Sequence, residues 1–314
     1  MSTLRHRLVA ATCVVSVALA ACGSAPPSAN EPSATAPSSP PATAAPSPTA
    51  APPAVPTPSA APSLPAYLDD LQAVLAATAG VGSARIAYEI GFDGSSAAPD
   101  GALMSGSGEF VTGDDPRARI DMDMSAAGLG RLDVIQDGDI MYLKGDAFKA
   151  LDPAGRWIRI DTTSDHPNAV AFSTSLSQST DPWASLGFLL GANDAPTVLA
   201  PETIDGDQVR HLSFRADLDQ AVERAPAASR DYLLMQAANF RAQGIAPDFQ
   251  TDVWVDDAGR IHRAVYAFDM SALKGGGTMY VRYDLSDFGK EVAVPIPDAA
   301  DVVSIEDLEL NLGG

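Results

Sequence analysis

The sequence predicts an α+β domain over residues 64–314, a curved and mostly antiparallel sheet packed by a few helices. Three observations lead there. Segments in which apolar and polar residues alternate recur along this stretch, and period two gives a strand one dry face and one wet face. Turn signals separate several of them, Asp137-Gly138, Asp256-Asp257-Ala258-Gly259 and Gly275-Gly276-Gly277, which favours hairpins and therefore antiparallel pairing. Helical spacing is confined to short stretches and no low-complexity break follows residue 63, so one core of the larger kind is expected.

In chain order, residues 66–77 open the domain as a helix, with Leu68, Leu71, Val74 and Leu75 on one face. The first strand, 85–92, alternates Ile86, Tyr88, Ile90 and Phe92 with Arg85, Ala87 and Glu89. Ile120, Met122 and Met124 alternate with Arg119, Asp121 and Asp123 in the next. Strands at 132–136 and 139–144 flank Asp137-Gly138, and another covers 156–161. Short helices are expected at 182–190, 217–223 and 230–241, and strands at 208–214, 250–255, 261–270 and 278–285. Strands joined by short hairpins twist and curl, so the concave side of a long sheet is wider than one or two helices can fill. An apolar cavity follows as an expectation. Met104, Met122, Met124, Met141, Met270 and Met279 are assigned to the dry face beside Tyr88, Tyr142, Tyr266, Phe268 and Tyr283. Methionine is flexible and polarizable and suits a surface that accepts variable apolar partners, although the plainer reading is ordinary core.

Residues 1–21 have the parts of a secretory signal: Arg5 and Arg7, an apolar run from Leu8 to Leu19, and the small-residue end Leu19-Ala20-Ala21-Cys22. The run is too short for a stable span, which needs about 20 apolar residues. Cys22 after two alanines is the lipidation position of a bacterial lipoprotein, so acyl chains, palmitate among them, are expected to anchor the mature chain at the outer side of the cell membrane. The other reading is an ordinary secretory peptide with an incidental cysteine. Residues 22–63 then form a tether of Ala, Pro, Ser and Thr with Glu31 as its single charge, too poor in large apolar surface to fold. Its reach lies between roughly 35 Å as a coil and 120 Å as polyproline II. A plain spacer and a sugar-bearing stalk both fit this composition.

The net charge of −20 becomes more negative once Arg5 and Arg7 are removed, which argues against nucleic acid and against a basic grip on anionic headgroups. The two cysteines are Cys13, inside the signal, and Cys22, so no disulfide, cysteine nucleophile or cysteine metal site is expected in the folded part.

Order and local phrases resemble a known family. A helix containing Leu71–Thr78 precedes the strand Arg85–Phe92, and Asp139-Ile-Met-Tyr-Leu-Lys144 precedes Arg156-Trp157-Ile-Arg-Ile-Asp161. Thr251-Asp-Val-Trp-Val-Asp256 with Gly259-Arg260-Ile261 follows, and the chain closes on Tyr283-Asp-Leu-Ser-Asp-Phe-Gly289 with Val292, Val294 and Pro297. Together these resemble the actinobacterial lipoproteins of the LppX/LprAFG type, with their LolA-like fold. The resemblance implies a half-barrel of antiparallel strands, closed on one side by helices, around a pocket for acyl chains. It implies lipid transport or presentation in the cell envelope, with an acyl lipid or lipoglycan as ligand, an envelope protein as a further partner, and no cofactor. The pocket candidates are Ile86, Tyr88, Ile90, Met122, Met124, Met141, Leu189, Tyr266, Phe268, Met279, Val281 and Tyr283. The segment 183–190, preceded by the Ser/Thr-rich 173–180, is the candidate flap; simple cover for the sheet is the plainer reading. A non-catalytic interaction or lipid-sensing module on the same scaffold is the alternative function.

Enzyme signatures do not hold together. Ser271-Ala-Leu-Lys274 has the Ser-x-x-Lys spacing and Ser164-Asp165-His166 faintly resembles a second box, but the first falls between two strands and Lys-Thr-Gly is absent. His166, His211 and His262 lack metal-ligand spacing, and Asp121 with Asp123 read as a solvated strand face rather than a calcium loop. No catalytic residue and no metal ligand is assigned.

Overall fold

A computed structural model describes residues 64–113, 116–176 and 185–308. The signal, Cys22, the tether, residues 177–180 of the Ser/Thr-rich stretch and residues 183–184 of the candidate flap lie outside the described residues. The helices are α1 (Leu64–Ala79), α2 (Pro167–Leu176), α3 (Leu218–Arg224) and α4 (Ala227–Gln243). The strands of the first half are β1 (Ser83–Asp93), β2 (Gly101–Val111), β3 (Arg117–Met124), β4 (Gly130–Asp137), β5 (Ile140–Gly145) and β6 (Trp157–Asp161). The second half supplies β7 (Thr197–Val198), β8 (Glu202–Ile204), β9 (Asp207–Asp217), β10 (Asp248–Asp256), β11 (Ile261–Asp269), β12 (Thr278–Ser286) and β13 (Val302–Ser304). Among the described residues no helix is long and apolar enough to cross a membrane.

All strands belong to one sheet in the order β13-β6-β5-β4-β3-β2-β1-β12-β11-β10-β9-β7, with β8 also on β9. Two antiparallel meanders, β1–β6 and β9–β12, meet where β1 pairs with β12, from Arg85 opposite Ser286 to Asp93 opposite Thr278. This corrects the expectation of a curled sheet forming a half-barrel. The α+β class stands, but the sheet is open and mixed. Its outer edges are β13 and β7, no pairing joins them, and β13 lies parallel to β6. The physical reason is connectivity: the meanders join at mid-sheet through β1 and β12, so hairpin twist accumulates without bringing the outer edges together.

Register puts one continuous dry face across the sheet. Ile160 lies opposite Met141, Val134 opposite Ile120, Met122 opposite Gly106, Tyr88 opposite Tyr283, Tyr266 opposite Val281 and Phe249 opposite Phe268. The opposite face is wet and charged: Arg85 meets Glu109 at 2.5 Å and Arg263 meets Asp284 at 2.5 Å. Tyr142 belongs to this wet side, a correction to its dry-face assignment, because it is adjacent to buried Met141 and successive side chains of a strand point to opposite faces.

β2 was not expected. Its dry positions include Gly106 and Gly108 and its wet ones Ser105 and Ser107, so small residues erase the period-two signal. Gly106 allows a close approach: the Tyr88 ring lies over it, and an added Cβ would stand 2.5 Å from Tyr88 Cε1 and Cζ.

The β10–β11 turn is organised by Asp256, whose side chain is 6% exposed. Its Oδ1 accepts from the N–H of Ala258 at 2.9 Å and of Arg260 at 2.8 Å, and Oδ2 accepts from Arg260 Nε at 2.7 Å. Burial alone would raise its pKa, but the hydrogen bonds from Arg260 and His262 outweigh burial and hold it below the ordinary aspartate value. A depressed folded pKa means the contribution to stability is complete above the unfolded value near ~3.9 and is lost as pH falls through the folded one. The urea midpoint should therefore drop as pH falls below about 4, and Asp256→Asn should flatten that drop. Equal slopes for parent and variant would show that this carboxylate does not carry the effect.

Candidate functional site

The candidate site is the layer between the dry face and the helices that pack against β6, β9 and β11. Two halves differ in chemistry. Over β9–β12 the layer is aromatic and closed by Phe188, from the 3-10 turn Gly187–Gly191. The Phe188 ring centroid lies 5.3 Å from Tyr266, 5.8 Å from Phe249, and 6.1 Å from both Phe268 and Tyr232, with edge-to-face geometry. Over β1–β5 the dry face carries Ile86, Ile90, Met104, Ile120, Met122, Met124, Leu132, Val134 and Met141, all buried.

All twelve pocket candidates enter the same apolar cluster, ten as buried residues and Tyr88 and Tyr283 as partly buried ones. The structure nevertheless divides them. Leu189, Tyr266, Phe268 and Met279 belong to the tightly filled aromatic half, each no more than 2% exposed. Ile86, Ile90, Met122, Met124 and Met141 belong to the other half. Tyr88, Val281 and Tyr283 stand at the junction, on the adjacent strands β1 and β12.

The described part of the flap segment is pinned. Phe188, Leu189 and Leu190 are buried, and Arg224 Nη1 donates to the carbonyls of Leu190 at 2.9 Å and Ala192 at 2.6 Å. A guanidinium holding two backbone oxygens locks this turn against the C-terminal end of α3.

Several polar groups inside the layer lack a partner among the described residues. The Tyr67, Tyr88 and Tyr266 hydroxyls, Thr251 Oγ1 and Gln236 Oε1 are buried with no hydrogen bond. Tyr67, on α1, packs edge-on against Phe214 at 5.4 Å, and Thr251 lies opposite Tyr266. Tyr88 and Tyr283 ring centroids are 6.5 Å apart and those of Tyr283 and Tyr266 6.3 Å, so three phenols form a row across β1, β12 and β11. Burial drives the pKa of all three upward; for Tyr283 a hydrogen bond with Ser185 acts in the opposite direction. These phenols are neutral O–H donors across the physiological range. Sequence reasoning missed Tyr67, Gln236 and Thr251. Thr251 and Gln236 were detectable in principle, as polar residues on the buried sides of β10 and α4.

The wet side holds a groove of about 860 Å³ between the segment 291–295 and β1–β3. Its arginines are paired locally: Arg85 with Glu109 and with Asp287 at 3.3 Å, Arg117 with Asp137 at 3.1 Å, and Arg119 with Asp121 at 3.6 Å. Asp133 sits opposite Asp121, and burial together with that neighbour raises its pKa.

The residues weighed for catalysis are not gathered into a site. Ser271 and Lys274 are both exposed in the turn joining β11 to β12. His166 precedes α2, His211 lies on the wet face 2.9 Å from both Glu202 and Asp252, and His262 lies beside Asp256. No group of three or more potential metal ligands occurs among the described residues.

No family model and no curated protein matches the sequence. Among solved structures, the chain is similar to LprF from Mycobacterium bovis, at 14% identity over 75% of this chain and 98% of that one, with a TM-score of 0.44. It is similar to the lipoprotein LppX of Mycobacterium tuberculosis at 17% identity over 74% of this chain and 100% of that one, TM-score 0.44. A LolA superfamily protein of Nitrosomonas europaea is similar at 13% identity over 71% and 94% of the two chains, TM-score 0.24. The resemblance to LolA- and LppX-like proteins is thus low in identity and broad in coverage.

Proposed function

We propose that this chain is a lipid-anchored extracytoplasmic lipoprotein that binds acyl lipid in the layer beneath its sheet and takes part in lipid transport or presentation in the cell envelope. One observation carries the reading: uncharged polar atoms of Tyr67, Tyr88, Thr251, Gln236 and Tyr266 are buried without a partner among the described residues in a layer that is mostly apolar. Each such atom costs about 1–3 kcal/mol, a penalty that hydrogen bonds from a ligand would offset. Such groups in an apolar setting are what a site for a mostly hydrocarbon molecule needs. The methionine-bearing half over β2–β5 suits the chains, since flexible side chains repack around variable apolar shapes. Shielding an acyl chain from water is worth about 0.8 kcal/mol per methylene, so binding needs no covalent step.

Native mass spectrometry of the full chain bearing Cys22→Ser, purified from its own host, tests this without a covalently attached acyl group. A co-purifying acyl lipid is the expected result; a ligand-free mass under gentle conditions overturns the proposal. Met122→Trp adds bulk to the proposed chain site and should lower lipid occupancy severalfold. Unchanged occupancy would remove Met122 from the site.

A second reading, an interaction or sensing module with a filled interior, draws on Phe188. Its ring occupies the aromatic half with the protein's own side chain. In that case the same Met122→Trp variant would lose stability and leave the lipid content of the preparation at zero, as in the parent.

A further inference from the structure

The oxygens of Tyr67, Tyr88, Tyr266, Thr251 and Gln236 that have no partner among the described residues share one property that bears on ligand class: they carry no charge. Tyr88, Tyr283 and Tyr266 form a row on three adjacent strands, and the hydroxyls of Tyr88 and Tyr266 have no partner among the described residues. Thr251 and Gln236 contribute two more unpartnered oxygens, and Ser185 bonds with Tyr283. Among the described residues no Lys or Arg is buried. On the helical side the Arg224 guanidinium is committed to the carbonyls of Leu190 and Ala192 and to Gln220 Oε1, and Arg230 Nη2 to the carbonyl of Ala225. The buried histidine, His262, lies four residues from Tyr266 on β11, a separation of about 13 Å, and faces the Asp256 carboxylate at 3.2 Å.

We propose that the interior site selects acyl lipids whose polar part is uncharged, an ester or hydroxyl group seated against the Tyr88–Tyr283–Tyr266 row, and rejects free carboxylates and phosphodiesters. This rests on the acyl-lipid reading and narrows it. A phenol O–H donates to an ester carbonyl, and the same oxygen accepts from a lipid hydroxyl, so both polar groups of an acylglycerol find partners. An anion drawn into the same layer gives up its water with no cation to receive it, and a buried charge without a counter-charge is strongly disfavoured. The phenols do not become that problem themselves, since burial keeps them protonated.

The test uses the full chain bearing Cys22→Ser, offered dioleoylglycerol, oleate and dioleoylphosphatidylglycerol separately, with the retained lipid read by native mass spectrometry. Dioleoylglycerol should be retained at least about tenfold more than either anion, the selectivity expected where a buried charge has no partner. Equal retention of all three overturns the selectivity while leaving acyl-lipid binding intact; retention of none overturns both. Tyr266→Phe and Tyr88→Phe keep the rings and remove the hydroxyls, and each should weaken dioleoylglycerol retention about fivefold, the value of one hydrogen bond. Undiminished retention in both variants, with near-ultraviolet circular dichroism matching the parent, overturns the assignment of the polar part to this row.

Discussion

Replacing Phe188 with alanine is expected to destabilise the domain by about 3–5 kcal/mol, the range for emptying a buried aromatic position. The ring is 6% exposed and meets four others edge-on, from Tyr232 on α4 to Tyr266 and Phe268 on β11. Each such pair adds about 0.5–1.5 kcal/mol beyond area alone. Relaxation is restricted, because Arg224 pins the turn immediately after the ring and the strands cannot move toward it singly. For a domain of this size the melting temperature should fall on the order of 10 °C. Phe188→Leu, which refills part of the volume, should recover roughly half. A loss below ~1 kcal/mol for the alanine variant would mean that the aromatic half does not depend on this plug.

The second large effect concerns location. Cys22→Ser removes the thiol to which acyl chains would be joined, and with it an anchor worth about 0.8 kcal/mol per buried methylene. Among the described residues no helix is long and apolar enough to cross a membrane, and the chain is strongly acidic. On the lipoprotein reading the variant should move from the membrane fraction to the soluble fraction almost completely. If the variant, with residues 1–21 replaced by an ordinary cleavable secretory signal, still remains with the membrane after a high-salt wash, the anchor is not at Cys22.

Much of the strand pattern was legible because alternation survives where large residues mark the dry positions. Ile86, Tyr88 and Ile90 located β1, and Met122 with Met124 located β3. The turn signals Asp137-Gly138, Asp256–Gly259 and Gly275–Gly277 all fall between paired antiparallel neighbours. β2 escaped because Gly106 and Gly108 occupy dry positions, and β13 because three residues are too few for periodicity. α2 was obscured by its Ser/Thr content. Closure of the sheet was misjudged for a different cause: hairpin signals report neighbours in sequence, whereas the β1–β12 and β6–β13 pairings link residues far apart. Of the candidate site, the apolar positions were readable from alternation, and Thr251, in phase with Phe249 and Val253, was readable as an inward position. What a single sequence does not give is whether such an inward polar residue finds a partner.

The pairing of β1 with β12 and of β6 with β13 also bears on how the molecule is made. As the polypeptide leaves the ribosome, strands β1–β6 emerge first, and both flanks of that six-stranded unit carry unmatched backbone donors and acceptors. Neither flank is covered until the last thirty or so residues of the domain have been translated and have crossed whatever barrier precedes their final compartment. A premature stop before Thr278 therefore strands a sticky half-sheet, so translation errors in this protein are expected to yield aggregates rather than a smaller working domain.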